Sequence, residues 1–234
     1  LKYMKTLIGD VMREAYRRNW ITTRDGNCSI YEGHKDYIYV SPSGIRKYKI
    51  EWENLLTLKW NGGIDDRGFR LFEDYGGKRK PSTEINLHRI LQDTLNDVDD
   101  PQPYRCVLHL HPTNCVAAMY AGWDLRYVTR EFPELTRYSR VGHNTGYETP
   151  GSVDLAHVTC EGFGVFKKGD TPKFDIVGQE AHGVTAIGTD PWSAFEHIER
   201  LEHVCQIVLA SGVKPPPRER QLEYCELTAG VEVR

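Results

Sequence analysis

From Met4 to Ala15 the apolar side chains Met4, Leu7, Ile8, Val11, Met12 and Ala15 recur at steps of three and four, one stripe of an amphipathic helix. The chain therefore opens on a helix. After Gly26 the pattern changes to short runs rich in β-branched and aromatic residues: 28–31, then 36–44 with a turn at Pro42 to Gly44, then 54–60 ahead of a turn at Asn61-Gly62-Gly63. The connections are too short for crossovers, so the runs are expected to pair antiparallel. A basic loop at 76–81 leads into helical spacing through Ile85, Leu87, His88 and Leu91, opened by residues suited to capping. YRCVLHLHP (104–112) is mostly apolar and reads as a buried strand. A short helix follows at 112–122, 123–147 shows no ruling period, and Pro150-Gly151 marks another helix start. Residues 174–188 read as two strands around a glycine-rich bend. A last helix covers about 192–210, with Phe195, Ile198, Leu201, Cys205, Val208 and Leu209 on one side. The expected fold is α/β: a single domain over 1–234 whose mostly antiparallel central sheet is covered by helices on both sides.

Composition narrows the class. An apolar share of 39% and a charged share of 27% are ordinary for a globular chain, which excludes disorder and fibrous architectures. No apolar run approaches the roughly 20 residues that span a bilayer, and the first 20 residues mix charge throughout, so the expectation is a cytoplasmic protein without a membrane partner. A net charge of -3 offers no basic field for nucleic acid. PPPRERQ (215–221) reads as a solvated connector. Cys28, Cys106, Cys115, Cys160, Cys205 and Cys225 form no CxxC pair and are expected as reduced, mostly buried thiols.

Successive side chains of a strand point to opposite faces, so His109 and His111 project from the same face, where two imidazoles can share one ion. Two solvated histidines on a surface strand would explain the pair equally simply. Here, however, it ends an apolar run, where two imidazoles without partners are costly. Catalytic zinc takes three protein ligands and keeps one position open, and His182, beside Gly183, is the candidate third. His34, His143, His157, His197 and His203 have no comparable context. His88 lies one helical turn after Glu84 and reads as packing or as support for the site. Glu84 stands in a first helical turn, where a carboxylate is favoured with or without function. Gly26 to Ser29, Ser41 to Gly44 and Pro81 to Thr83 offer hydroxyl, amide and backbone donors that serve a phosphate or an ordinary turn alike.

Taken in order, GNCSIYEG, YIYVSPSGI, KPSTEINLHRIL, VLHLHPTN and AHGVTAIG resemble the signature blocks of the class II aldolase/adducin family of sugar-phosphate enzymes, and the match covers nearly the whole chain. The resemblance implies a three-layer fold in which His109, His111 and His182 hold one zinc ion per subunit, another divalent ion being an alternative. Glu84 then acts as acid/base and can ligate the resting metal. Asn27, Ser43, Gly44, Ser82 and Thr83 grip a phosphate. The implied reaction cleaves a ketose 1-phosphate to dihydroxyacetone phosphate and an aldehyde through a metal-stabilised enediolate. HLHPTN and TPGSVDLAHVT point to L-rhamnulose 1-phosphate, giving L-lactaldehyde. Alternatives are L-fuculose 1-phosphate cleavage, 4-epimerisation of L-ribulose 5-phosphate, dehydration of methylthioribulose 1-phosphate, and a non-enzymatic adducin-like binding domain. The epimerases commonly carry aspartate where Glu84 stands. The family also implies a homotetramer with the active site near a subunit interface, where Tyr138 and Tyr224 are candidates to assist. The chain departs from the pattern in being short between Ser43 and Ser82 and in matching weakly over 126–147, the part expected at the aldehyde end.

Overall fold

The opening stripe forms helix α1 (Lys2–Arg17), with Met4, Leu7, Ile8, Val11, Met12 and Ala15 all buried, in a computed structural model that describes residues 2–32, 36–74, 76–96 and 104–228. Seven strands make one sheet: β1 (Asn27–Glu32), β2 (Tyr37–Val40), β3 (Leu56–Ile64), β4 (Arg70–Phe72), β5 (Tyr104–Leu110), β6 (Ile176–Gln179) and β7 (Gly183–Gly188). Their order is β4-β3-β2-β1-β5-β7-β6, and every neighbouring pair is antiparallel. The helices are α2 (Ile85–Asn96), α3 (Thr113–Tyr120), α4 (Leu125–Thr129), α5 (Pro133–Thr136), α6 (Val153–Gly162), α7 (Pro191–Ser211) and α8 (Arg218–Thr228).

Strand alternation divides the core in two. Cys106, Leu108 and Leu110 of β5 pack with side chains of α1, α3 and α7, whereas Val107 packs with Leu87, Ile90 and Leu91 of α2 and Ala156 and Cys160 of α6. Helices thus cover both faces. His109 shares the odd-numbered face with Val107, which turns it toward α2 and its first turn. The register places Asn27 of β1 and Thr185 of β7 on either side of His109.

Several details differ from the sequence reading. Asn61-Gly62-Gly63 does not reverse the chain: β3 runs through it, with a register irregularity between Trp60 and Ile64. Gly62 adopts φ +82°, and the Asn61 side chain accepts the Gly63 N–H at 2.7 Å, so the strand bulges instead of turning. The reversal falls at Asp65 to Gly68 and leads into β4, which the hydrophobic pattern did not announce. The stretch 215–221 is not wholly a solvated connector. Its second half enters α8, and Gln221 is fully buried, accepting the Asp124 N–H and donating to the carbonyls of Gly122 and Pro216. Residues 123–147 hold the short helices α4 and α5. Ser152, not Pro150 or Gly151, caps α6. Cys28, Cys106, Cys115, Cys160 and Cys205 are free and buried, while the side chain of Cys225 and all of His34 lie outside the described residues. Among the described residues no helix is long and apolar enough to cross a membrane.

Candidate metal centre and its cavity

The end of β5 delivers His109, and His111 follows at the strand exit, its N–H held by the Trp20 carbonyl at 2.9 Å. The β6–β7 hairpin brings His182 from the neighbouring edge. Its N–H closes the turn onto the Gln179 carbonyl at 3.1 Å, and Ala181 takes a positive φ of 55° to make the turn. The three imidazoles meet with ring centroids 4.7 to 4.9 Å apart, and one nitrogen from each lies within 4.8 Å of the others. Nε2 of His109 is 2.9 Å from Nε2 of His111. Glu84 completes the group: its Oε2 is 3.2 Å from Nε2 of His109 and its Oε1 is 3.2 Å from Nε2 of His182.

Burial sets the protonation. It holds His109 well below the usual imidazole range, with the neighbouring rings adding to the fall, and it also lowers His111 and His182. Neutral imidazoles are the form that ligates metal. The Glu84 carboxylate opposes the fall at His182. Burial raises the Glu84 carboxyl, opposed by a hydrogen bond from Nδ2 of Asn27 to Oε2 at 2.8 Å.

A buried relay selects the tautomer of His109. The amide oxygen of Gln179 can only accept, so the Thr185 hydroxyl donates to it at 3.1 Å. The Thr185 oxygen then accepts from Nδ1 of His109 at 3.1 Å, leaving a lone pair on Nε2 aimed at His111. Gln179 is itself anchored through its Nε2 on the Thr159 hydroxyl at 3.0 Å.

These donors fit a small cation. The buried Oε1 of Glu84 has no hydrogen-bond partner and stands beside the three imidazoles, a polar atom that an ion would satisfy. Tetrahedral zinc with bonds near 2.05 Å separates neighbouring ligand atoms by roughly 3.3 Å, close to the spacings found here. Gly183 permits the approach. A Cβ there would stand 2.7 Å from Cδ2 of His111 and closer still to the Leu110 carbonyl oxygen. Gly183→Ala is expected to cost about 1–3 kcal/mol by overpacking and to displace His111. A lower melting temperature together with lost ion retention would show it.

A cavity of about 150 Å³ opens beside the imidazoles, lined by Asn27, Ser43, Ser82, Thr83, Glu84, His111 and His182, and also by Arg24, Asp25, Gly26, Lys47 and Pro150. The bridge Pro42–Pro81 draws the 41–44 turn against the segment that starts α2, which is why Ser43, Ser82 and Thr83 share one space. Gly44, at φ +74°, gives its carbonyl to Arg24 at 3.1 Å. Asn27 faces inward: its amide donates to Ser82 and Glu84, and its oxygen accepts from Nε2 of His88 at 2.5 Å. Arg24, Asp25 and Lys47 were not singled out from the sequence. The first two adjoin the GN block, but nothing in the pattern marks Lys47 as buried. Tyr138 and Tyr224 do not line this cavity. Hollows of about 310 and 810 Å³ lie elsewhere, and among the described residues neither holds three His, Cys, Asp or Glu side chains placed to share an ion.

His88 is fully buried, accepting through Nδ1 from Ser29 at 2.7 Å, and desolvation pulls its pKa down to about 3 from 6.5. In this range the unfolded chain binds the proton and the folded chain refuses it. The linked stability is full above pH 6.5 and drains away as pH falls toward 3. Its share is roughly 2 kcal/mol lost between pH 7.5 and pH 5. Urea unfolding at both pH values should show a fall smaller by that amount in His88→Gln.

A model of the class II aldolase and adducin N-terminal domain matches residues 6–209. The chain belongs to that family. This class II aldolase-family chain is 24% identical over 199 residues to an L-fuculose phosphate aldolase of Methanocaldococcus jannaschii, covering 85% of this chain and 92% of that protein. It is 25% identical to a 5-deoxy-D-ribulose 1-phosphate aldolase of Bacillus thuringiensis, over 78% and 73% of the two chains. A rhamnulose-1-phosphate aldolase of Bacteroides thetaiotaomicron shows the same 25% identity but over 56% of this chain and 48% of its own length. Among solved structures, L-fuculose-1-phosphate aldolase from Thermus thermophilus superposes with a TM-score of 0.67 at 19% identity, covering 91% and 98% of the two chains, a likeness of fold. Members of this family are generally metal-dependent, and the chain is an enzyme of the lyase class.

Proposed function

We propose that this lyase is a zinc-dependent aldolase that splits a 6-deoxyketose 1-phosphate between C3 and C4 into dihydroxyacetone phosphate and L-lactaldehyde. The observation that carries the reading is the convergence of His109, His111, His182 and Glu84 beside a cavity walled by hydroxyl donors. Neutral imidazoles with lone pairs turned inward hold the ion, and Thr185 keeps His109 in the ligating tautomer. When bound, the cation supplies positive charge at the oxygen where negative charge develops as the carbon–carbon bond breaks.

Glu84 delivers the proton to C3 of the three-carbon fragment, and in the reverse direction removes it. Asn27 fixes that carboxylate through Oε2, and burial keeps its proton affinity high enough for the exchange. Ser43, Ser82 and Thr83, which line the cavity, take the phosphate together with Gly44, which follows Ser43 but is not itself in the lining, and Asn27 supports them through Ser82. The sequence blocks favour L-rhamnulose 1-phosphate, and the relative with the wider coverage favours L-fuculose 1-phosphate. We also assign a homotetramer by the family pattern and, from the charge mixed through the first 20 residues, a cytoplasmic enzyme, with 1–234 as one catalytic domain.

The test is a substrate screen with zinc-loaded protein on both deoxyketose phosphates, 5-deoxy-D-ribulose 1-phosphate and methylthioribulose 1-phosphate, following dihydroxyacetone phosphate with a coupled assay. Release from at least one ketose phosphate, abolished by a chelator and restored by zinc, is the expected result. Loss of water without a three-carbon product would replace the aldolase with a dehydratase.

A further inference from the structure

Lys47 is buried in the wall of the same cavity, with only 2% of its surface exposed. It opens a single turn of 3-10 helix, Lys47–Lys49, and is tied down by its backbone N–H on the Thr23 carbonyl at 2.8 Å. Its ammonium donates to the Arg24 carbonyl at 3.2 Å. An ammonium carries three donors and is expensive to desolvate, and a single neutral carbonyl compensates little of that cost. Burial accordingly pulls its pKa to about 8, with Arg24 adding to the fall and the Asp25 carboxylate opposing it. Asp25 is already engaged, accepting from the Thr22 hydroxyl at 2.6 Å and lying 3.8 Å from Nδ1 of His111.

The neighbouring donors Ser43, Ser82 and Thr83 are neutral, so they can orient an anion without balancing its charge. Arg24 adds a second cation on the exposed side of the cavity. The Asp25 carboxylate in the same wall offsets part of the Lys47 charge, and an anion seated beside the neutral donors would meet both cations, Lys47 and Arg24.

We propose that Lys47, with Arg24 assisting, supplies the positive charge that binds the phosphate of the substrate, so that the cavity selects a phosphate dianion over a neutral sugar. This rests on the reading that the cavity takes a phosphorylated sugar. The experiment titrates inorganic phosphate calorimetrically into zinc-loaded and chelated protein, comparing wild type with Lys47→Met, Lys47→Arg and Arg24→Met. Lys47→Met keeps the apolar stem and should bind phosphate about 10- to 100-fold more weakly, with Lys47→Arg restoring most of the affinity. Its melting temperature without phosphate should equal or exceed that of wild type, because a desolvation cost has been removed, whereas a lysine with a purely structural role would give a fall. In turnover, KM for the ketose phosphate should rise in step with the phosphate affinity while kcat stays within about threefold.

Equal phosphate affinity in wild type and Lys47→Met overturns the proposal, as does a wild type that binds no phosphate. Should Lys47→Met not fold, Arg24→Met, altered at an exposed position, decides in its place: unchanged affinity there also overturns it. Phosphate binding without any aldol cleavage would fault the reaction assigned above and leave the role of Lys47 standing.

Discussion

His182→Ala is expected to yield a folded protein that no longer retains a stoichiometric divalent ion and whose lyase activity falls by about 10³-fold or more. His182 sits on a hairpin turn, and its Nδ1 makes no hydrogen bond, so truncation removes a donor without breaking a buried network. His109 lacks that advantage, because its loss would leave the buried Thr185 oxygen without its donor. Two imidazoles and a carboxylate remain after the substitution, but the space left between β5 and the hairpin admits water. Metal content after dialysis, a far-ultraviolet circular dichroism spectrum and dihydroxyacetone phosphate release together read the result. A variant with one ion per chain and activity within tenfold of wild type would show that the third donor lies elsewhere.

Glu84→Gln addresses the proton instead of the ion. The substituted amide can still place its oxygen against Nδ2 of Asn27, so the side chain is expected to stay in position while losing its basicity. The expected result is a fall in kcat of about 10²- to 10⁴-fold, with the ion retained and KM little changed. A sharper readout is deuterium uptake at C3 of dihydroxyacetone phosphate in heavy water without aldehyde, which isolates the proton transfer. Wild-type exchange rates in Glu84→Gln would exclude Glu84 as the base.

Much of this arrangement is legible in the linear chain, and the reasons are local. Alternation along β5 sends His109 and His111 to one side whatever else the fold does, and the stripes of α1 and α7 can be read directly. His182 required a guess about which hairpin lies beside β5, since nothing in its own neighbourhood records that β7 pairs with β5. The short helices α4 and α5 span 5 and 4 residues, too few to show a helical period. Asn61-Gly62-Gly63 carries the letters of a turn, but pairing across the sheet turns them into a bulge. Gln221 was hidden by polar neighbours, because its burial depends on the backbone groups of Asp124 and Gly122, almost a hundred residues earlier. Lys47 failed for a related reason: a charged residue predicts exposure until a cavity gives its charge a use.

The pairing of β5 with β7 carries one more implication. His109 stands opposite Thr185, and side chains change faces with every residue. Sliding β5 by a single position would hide both imidazoles among the α1, α3 and α7 side chains and present leucines to Glu84. Such a chain could keep its helices, its strands and nearly all of its buried area, yet would capture no ion. Metal uptake during refolding therefore discriminates the correct strand alignment from its nearest competitors, which spectroscopy of secondary structure would count as the same.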